Sequence, residues 1–232
     1  MAPYFFCSSI PDAPLVELDA DTSHHLAQVL RKQVGDALYL TDGAGLRLYG
    51  RLQSVSKKGC VLAVDKRDYI ERSGRIVQVA ISPIKNTSRL EWFVEKATEL
   101  GVAHIITVLT DRTEKQRLRI DRLRQIAIAA MLQSQQVWLP TLEEPVAYES
   151  LIQTWADGSI QRLIAHCAEG PRVELADQTL SEKLGILIGP EGDFTEKEIS
   201  LALAAGFSPV RLGPTRLRTE TAGVAAAVWL RL

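Results

Sequence analysis

Two glycine-proline turns near the carboxyl-terminal end are the residues of this chain best suited to chemistry. The first, Ile188-Gly189-Pro190-Glu191-Gly192-Asp193-Phe194, leaves an apolar run, Gly185-Ile186-Leu187-Ile188. Glycine lets a ligand approach the backbone closely, and proline keeps such a turn stiff. The second, Leu212-Gly213-Pro214-Thr215-Arg216-Leu217-Arg218-Thr219-Glu220-Thr221-Ala222, leads into a stretch rich in alanine and valine. It sets a fixed cation, Arg218, close to a carboxylate, Glu220. An arginine beside a reacting group stabilises developing negative charge, and a carboxylate can organise a loop or assist proton removal. Read singly, each turn is also an ordinary strand-to-helix connection, the second with an ion pair at the helix start. Two of them at successive strand ends could meet in one pocket, since ligands of open α/β sheets bind outside the carboxyl ends of strands.

The elements that must position these turns alternate between strand and helix from Arg75 onward. Strands are expected at 77–82, 104–109, 162–167, 184–188 and 209–212. Ser88-Arg89-Leu90-Glu91 has the spacing of a capping box, and the helix it opens keeps Leu90, Phe93, Val94, Ala97 and Leu100 on one face before Gly101. A long helix is expected over 119–135, and a loop follows through Pro140 and Pro145. Thr195-Glu196-Lys197-Glu198 is a second capping box, opening a helix to about Ala205 that Gly206 ends. The final helix, 222–230, has Thr219 or Thr221 as its cap. Strand-helix-strand order calls for a parallel sheet with helices on its faces.

The first seventy or so residues read differently, as β-rich. Strands are expected at 36–40, 46–55 and 60–64, with a short helix over 24–30 capped by Asp21 or Ser23. The polar stretch Asp68 to Gly74 marks a boundary, giving domains 1–72 and 73–232.

Composition narrows the partners. A formal net charge of −1 excludes a polybasic coat for nucleic acid, so an RNA partner would need a local patch. Arg112, Lys115, Arg117, Arg119, Arg122 and Arg124 form one candidate patch, against Glu114 and Asp121, and Lys57-Lys58 forms a weaker one. A mixed-charge helix start is also often just a solvated face. Three scattered cysteines without a CxxC, and four histidines without ligand spacing, give no disulfide framework and no metal site. His104 and His166 lie in expected strands. The amino-terminal residues lack a basic leader, and no apolar run is long enough to cross a bilayer, so a cytoplasmic protein without a membrane role is expected. GxGxxG, GxxxxGK[ST] and GxSxG are all absent.

At the two turns the sequence resembles the RsmE family, methyltransferases of the SPOUT class that modify N3 of a uridine in small-subunit (16S) ribosomal RNA. The matching residues are Leu187-Ile188-Gly189-Pro190-Glu191-Gly192, Leu212-Gly213 and Leu217-Arg218-Thr219-Glu220-Thr221-Ala222. Glu95-Lys96-Ala97-Thr98-Glu99-Leu100-Gly101 adds to them, as do His25-Leu26, Val29-Leu30-Arg31 and Gly35-Asp36. The likeness runs in order through nearly the whole chain. It departs where members often carry a basic residue near the start and another after the Gln-Ser pair. Here those places hold Pro3-Tyr4-Phe5-Phe6 and, after Gln133-Ser134, Gln135-Gln136-Val137. Asp193 stands where a second glycine is common.

The resemblance implies a small PUA-like β-barrel that binds RNA, followed by a SPOUT α/β domain whose end is tied in a trefoil knot. It implies a homodimer acting on ribosomal RNA or the small ribosomal subunit, with S-adenosylmethionine as methyl donor and no metal. Donor contacts would come from His166, Ile188, Gly189, Pro190, Glu191, Gly192, Leu212, Gly213, Leu217, Arg218, Thr221 and Ala222. Arg218 and Glu220 would be catalytic, and Arg31, Lys57, Lys58, Arg112, Lys115, Arg117 and Arg119 would meet RNA. Two other readings stay open: a SPOUT enzyme acting on a ribose 2'-hydroxyl or on transfer RNA, and a non-catalytic RNA-binding assembly factor.

Overall fold

A computed structural model describes residues 2–56, 59–114 and 118–231. The chain forms two compact units, Met1–Arg72 with Met131–Leu139, and Ser73–Ala130 with Pro140–Leu232. The segment Met131–Leu139 therefore departs from the expected boundary. Its hydrogen bonds explain why. Leu139 donates its backbone N–H to the Gly43 carbonyl, Gly45 donates to Val137, and the Trp138 indole donates to the Ile70 carbonyl.

The first unit contains β1 (Tyr4–Phe6), β2 (Leu15–Glu17), α1 (Ala20–His24), β3 (Ala37–Thr41), β4 (Leu46–Ser56) and β5 (Gly59–Tyr69). They build a mixed five-stranded sheet in the order β1-β3-β4-β5-β2, in which β1 and β3 run parallel and the other neighbours antiparallel. Strand alternation sends Leu38, Leu40, Leu48, Leu52 and Leu62 into one core, which Leu26 completes. The two outer strands are three residues each, too short for a period of two to show in sequence. β5 runs on into residues expected to form a polar linker. Its charges are paired across the ladder instead, Asp68 with Arg47 at 3.2 Å and Asp65 with Arg51 at 3.5 Å. The cap of α1 is neither Asp21 nor Ser23. Asp19 accepts from the Thr22 N–H at 2.8 Å, while Ser23 is buried and links Leu18 to Cys60 through its hydroxyl. A π-helical turn, His25–Val29, continues the helix.

The second unit contains β6 (Ile76–Ile81), α2 (Thr87–Glu99), β7 (His104–Leu109), all but the last three residues of α3 (Ile120–Gln133), β8 (Thr141–Leu142), β9 (Val146–Ala147) and α4 (Tyr148–Ala156). It continues with β10 (Gln161–Ala165), β11 (Val173–Glu174), β12 (Lys183–Ile188), α5 (Glu196–Ala204), β13 (Ser208–Arg211) and α6 (Thr219–Arg231). All of its paired strands are parallel, in the order β11-β13-β10-β12-β6-β7-β8, with β9 also on β7. β12 lies between β10 and β6, buried on both faces, which is why Leu184 to Ile188 reads as an unbroken apolar run.

Helix starts follow local chemistry closely. Thr195 and Glu198 form the expected capping box. The Ser88 box does not form, because Asn86, two residues earlier, is the cap and accepts from the Ser88 N–H at 3.0 Å. α6 begins earlier than expected, and neither threonine caps it: the Ala222 N–H donates to the Arg218 carbonyl at 2.7 Å. Gly223 then lets α6 sit against α2 and β6. A Cβ there would lie 2.6 Å from the Phe93 ring and 3.1 Å from Ile81.

Candidate functional site

β13, β10 and β12 are adjacent and parallel, so their carboxyl ends open on the same side of the sheet. The loops that leave them enclose a cleft of about 500 Å³. His166, Cys167 and Arg172 come from the loop after β10, and Gly189, Pro190, Glu191 and Asp193 from the loop after β12. Leu212 to Arg218 come from the loop after β13, and Ala222 from α6. This volume lies in the range of about 300–1,000 Å³ that small-molecule sites occupy.

Each loop is held by its neighbours. Asp193, at φ 63°, accepts from the Cys167 N–H at 2.7 Å and from the Phe194 N–H at 2.8 Å, which joins the loops after β10 and β12. Thr219 Oγ1 donates to the Gly189 carbonyl at 3.0 Å, which joins the loop after β12 to α6. Glu174 pairs with Arg211 at 3.0 Å and accepts from the Gly213 N–H at 3.2 Å. Gly213 has φ 107°, a backbone conformation that side chains other than glycine's rarely adopt.

The lining has polar groups to offer. His166 is 9 % exposed, and neither ring nitrogen has a partner among the described residues. Burial, and then the Arg172 charge, push its imidazole below the ordinary histidine pKa, against a smaller opposing pull from Asp193. It is therefore a neutral ring with one donor and one acceptor. The described hydrogen bonds also leave the N–H groups of Gly189, Glu191 and Gly192 unused. Buried polar groups are rarely left unpaired in folded proteins, so the buried His166 ring and Gly189 amide fit a nucleoside-sized ligand that can bond to them.

His166, Ile188, Gly189, Pro190, Glu191, Leu212, Gly213, Leu217, Arg218 and Ala222 all line the cleft. Gly192 and Thr221 do not; Gly192 faces Arg112, and Thr221 is exposed on the first turn of α6. Glu220 also stays out of the lining. It is 7 % exposed, with one carboxylate oxygen 3.6 Å from Arg89 Nε and the other unpartnered among the described residues. Arg218 is exposed at the cleft and forms no ion pair among the described residues. Arg31 and Arg119 are exposed, whereas Arg112 donates to carbonyls of the loop after β12. Lys57, Lys58, Lys115 and Arg117 lie outside the described residues. Arg172, Arg216 and the tie from Thr219 to Gly189 escaped the sequence reading, since nothing in their spacing says which loop each one meets. Among the described residues no group of three or more His, Cys, Asp or Glu could hold a metal ion, and no helix is long and apolar enough to cross a membrane.

A parallel α/β sheet with one loop-built cleft at the carboxyl ends of adjacent strands defines an enzyme-type domain for a nucleotide-sized ligand. Residues 72–231 match the family model of the RNA methyltransferase domain, and residues 18–65 that of the RNA methyltransferase PUA domain. Ribosomal RNA small subunit methyltransferase E from Synechocystis sp. is 30% identical over 216 residues, covering 91% of this chain and 71% of the relative. A "probable rRNA-methyltransferase" from Porphyromonas gingivalis superposes with TM-score 0.90 at 36% identity, covering 98% of this chain and 96% of that one. Ribosomal RNA small subunit methyltransferase E from Neisseria gonorrhoeae, solved bound to S-adenosyl methionine, gives TM-score 0.88 at 27% identity over 98% of this chain and 96% of that one. The chain belongs to the RNA methyltransferase family and, within it, to the family of ribosomal RNA small subunit methyltransferase E.

Proposed function

We propose that this chain transfers a methyl group from S-adenosylmethionine to N3 of a uridine in small-subunit (16S) ribosomal RNA. The observation that carries the reading is the cleft that gathers both glycine-proline turns and Arg218 around one space. Bound S-adenosylmethionine supplies an electrophilic methyl group on a sulfonium centre. Gly189, Glu191, Gly213 and Leu217 would hold the adenine and ribose through backbone groups, with Ile188, Leu212 and Ala222 as apolar contacts. Attack by N3 needs in-line approach and loss of a weakly acidic imide proton. Charge then spreads onto the uracil oxygens, where Arg218, free of any described ion pair, would stabilise it. The pairing of Glu220 with Arg89 supports a loop-organising role for this carboxylate rather than contact with the base.

A base inside a stack cannot present N3, so the target would be an unpaired or splayed-out nucleotide. Arg31 and Arg119, both exposed, are suited to phosphate contacts, and Lys57, Lys58, Lys115 and Arg117 belong to the same reading. The half-exposed Trp229 on α6 suits an interface in a homodimer. The trefoil threading of the last segment and a cytoplasmic setting complete the proposal.

Calorimetric titration with S-adenosylmethionine, with Gly189→Val as control, tests the donor site. A Cβ at Gly189 would already stand 3.1 Å from the Phe194 ring. Saturable binding that the variant loses supports the reading, and no binding by the wild type overturns it. Mapping the methylated atom in reacted RNA then separates N3 from a ribose 2'-hydroxyl.

A further inference from the structure

Each carbonyl of the loop after β12 from Gly189 to Gly192 accepts a hydrogen bond. Gly189 O accepts from Thr219, Pro190 O from the Asp193 N–H, and Glu191 O from Arg216 at 3.4 Å. Gly192 O accepts from Arg112 Nη1 at 2.6 Å, and the same nitrogen reaches Phe194 O at 3.4 Å. Within one peptide plane the C=O and the N–H of the following residue point opposite ways, so a carbonyl bonded to a cation fixes that whole plane. Through Gly192 O, Arg112 fixes the plane whose N–H, that of Asp193, donates to Pro190 O at 2.9 Å, so it braces the turn that carries the N–H groups of Glu191 and Gly192, which the described hydrogen bonds leave unused.

Arg112 comes from a different element, the loop after β7, and that loop is fixed at its neighbouring residues. The Asp111 N–H donates to Glu198 Oε1 at 2.9 Å, while Glu198 Oε2 accepts from the Thr195 N–H at 2.7 Å. The Thr113 hydroxyl meets Ser82 Oγ at 2.7 Å and accepts from the Thr110 N–H at 2.9 Å. Arg112 is thus delivered to the loop by a rigid base. The absence of a side chain on Gly192 makes room for it, since a Cβ there would lie 3.3 Å from Arg112 Cδ.

We infer that Arg112 is a positioning residue of the methyl-donor loop, acting through the Gly192 and Phe194 carbonyls, rather than a contact to RNA phosphate. The inference rests on the donor-site reading above. It separates two roles that one exposed arginine in a basic segment leaves open. A phosphate contact needs only a positive charge, whereas aiming two carbonyls needs the arginine's length and fixed fork.

The test compares Arg112→Ala and Arg112→Lys with the wild-type protein, with circular dichroism and melting to establish that each is folded. Arg112→Ala should weaken S-adenosylmethionine binding about tenfold, the effect of losing one hydrogen bond with a charged donor. Arg112→Lys should restore little of it, although it keeps the charge. Donor KM should rise in both with kcat near wild type, whereas a merely destabilised enzyme would lose kcat at unchanged KM. The slope of RNA affinity against salt should stay unchanged. Wild-type donor affinity in Arg112→Ala overturns the inference, as does a salt slope reduced by about one with donor binding intact. Hydrogen exchange over residues 189–195 of the free protein supplies a readout that needs no donor. Arg112→Ala should speed it, and unchanged exchange overturns the inference even if the wild type fails to bind S-adenosylmethionine.

Discussion

Thr219 Oγ1 donates a 3.0 Å hydrogen bond to the carbonyl of Gly189, so the first residue of α6 closes the loop that leaves β12. Thirty positions separate the two residues in the chain. The bond is buried, so the carbonyl has no water to fall back on. With the longer bond from Arg216 to the Glu191 carbonyl, it ties the two glycine-proline turns together.

Removing that hydroxyl should therefore be felt twice. Thr219→Val keeps the side chain's volume but strands the Gly189 carbonyl, at a cost of about 1–3 kcal/mol in unfolding free energy. Donor affinity should fall along with stability, and Thr219→Ser should recover much of both. Urea unfolding and calorimetry read the two effects, and a stable Thr219→Val with normal donor affinity would show the tie to be dispensable.

Arg218 lines the cleft without an ion pair among the described residues, so its replacement should leave the fold alone and strike the reaction. Arg218→Ala should lower kcat by roughly 10²–10³, the usual effect of losing one preorganised stabiliser of developing charge. Donor affinity should change little. Single-turnover methylation of RNA measures this, and normal turnover would remove Arg218 from the mechanism.

The pair of the buried Glu220 with the partly exposed Arg89 makes a different prediction. If Glu220 organises the start of α6, Glu220→Gln and Arg89→Ala should lower the melting temperature in a similar way. The double variant should then be little worse than either single one, because both break one interaction. A Glu220→Gln protein of wild-type stability that has lost methyl transfer, together with one limb of its pH profile, would instead make Glu220 the proton acceptor.

His166 ties stability to pH. Burial and Arg172 hold its imidazole below the ordinary histidine value, so the unfolded chain takes up a proton at a pH where the folded chain does not. Its contribution is intact above about pH 7 and is lost as the pH falls through about 6.5 toward the lowered value. Arg172 opposes the charge from its own loop, and Asp193 partly favours it from the loop after β12. Denaturant unfolding of wild type and His166→Gln from about pH 7 to 5 should show a steeper loss in the wild type. Parallel curves would mean that the ring titrates alike in both states.

The alternation of apolar and polar residues, the capping box at Thr195 and Glu198, and the glycines at 101 and 206 determine by themselves most strands and helices of the second unit. These are local signals, each written within one or two turns of chain, and they also mark the two glycine-proline turns as the place where a ligand would bind. Signals of equal local strength mislead where a longer-range partner competes. Ser23 is drawn off to Cys60, Thr219 to Gly189, and residues 65–69 to charges on β4. The short strands β1, β2, β8, β9 and β11 have no period to read, and pairing alone defines them. Which strand stands beside which is likewise invisible in the sequence. β12 comes to lie between β10 and β6 because its two apolar faces are satisfied only inside the sheet. That insertion brings the loops after β10, β12 and β13 around one cleft, turns Glu220 away from it, and sets Arg112 on the carbonyls of the loop after β12. A residue's type fixes what it can bond to. Which partner it meets is fixed only when the sheet has assembled, because partners thirty to eighty positions apart come together through the order of the strands.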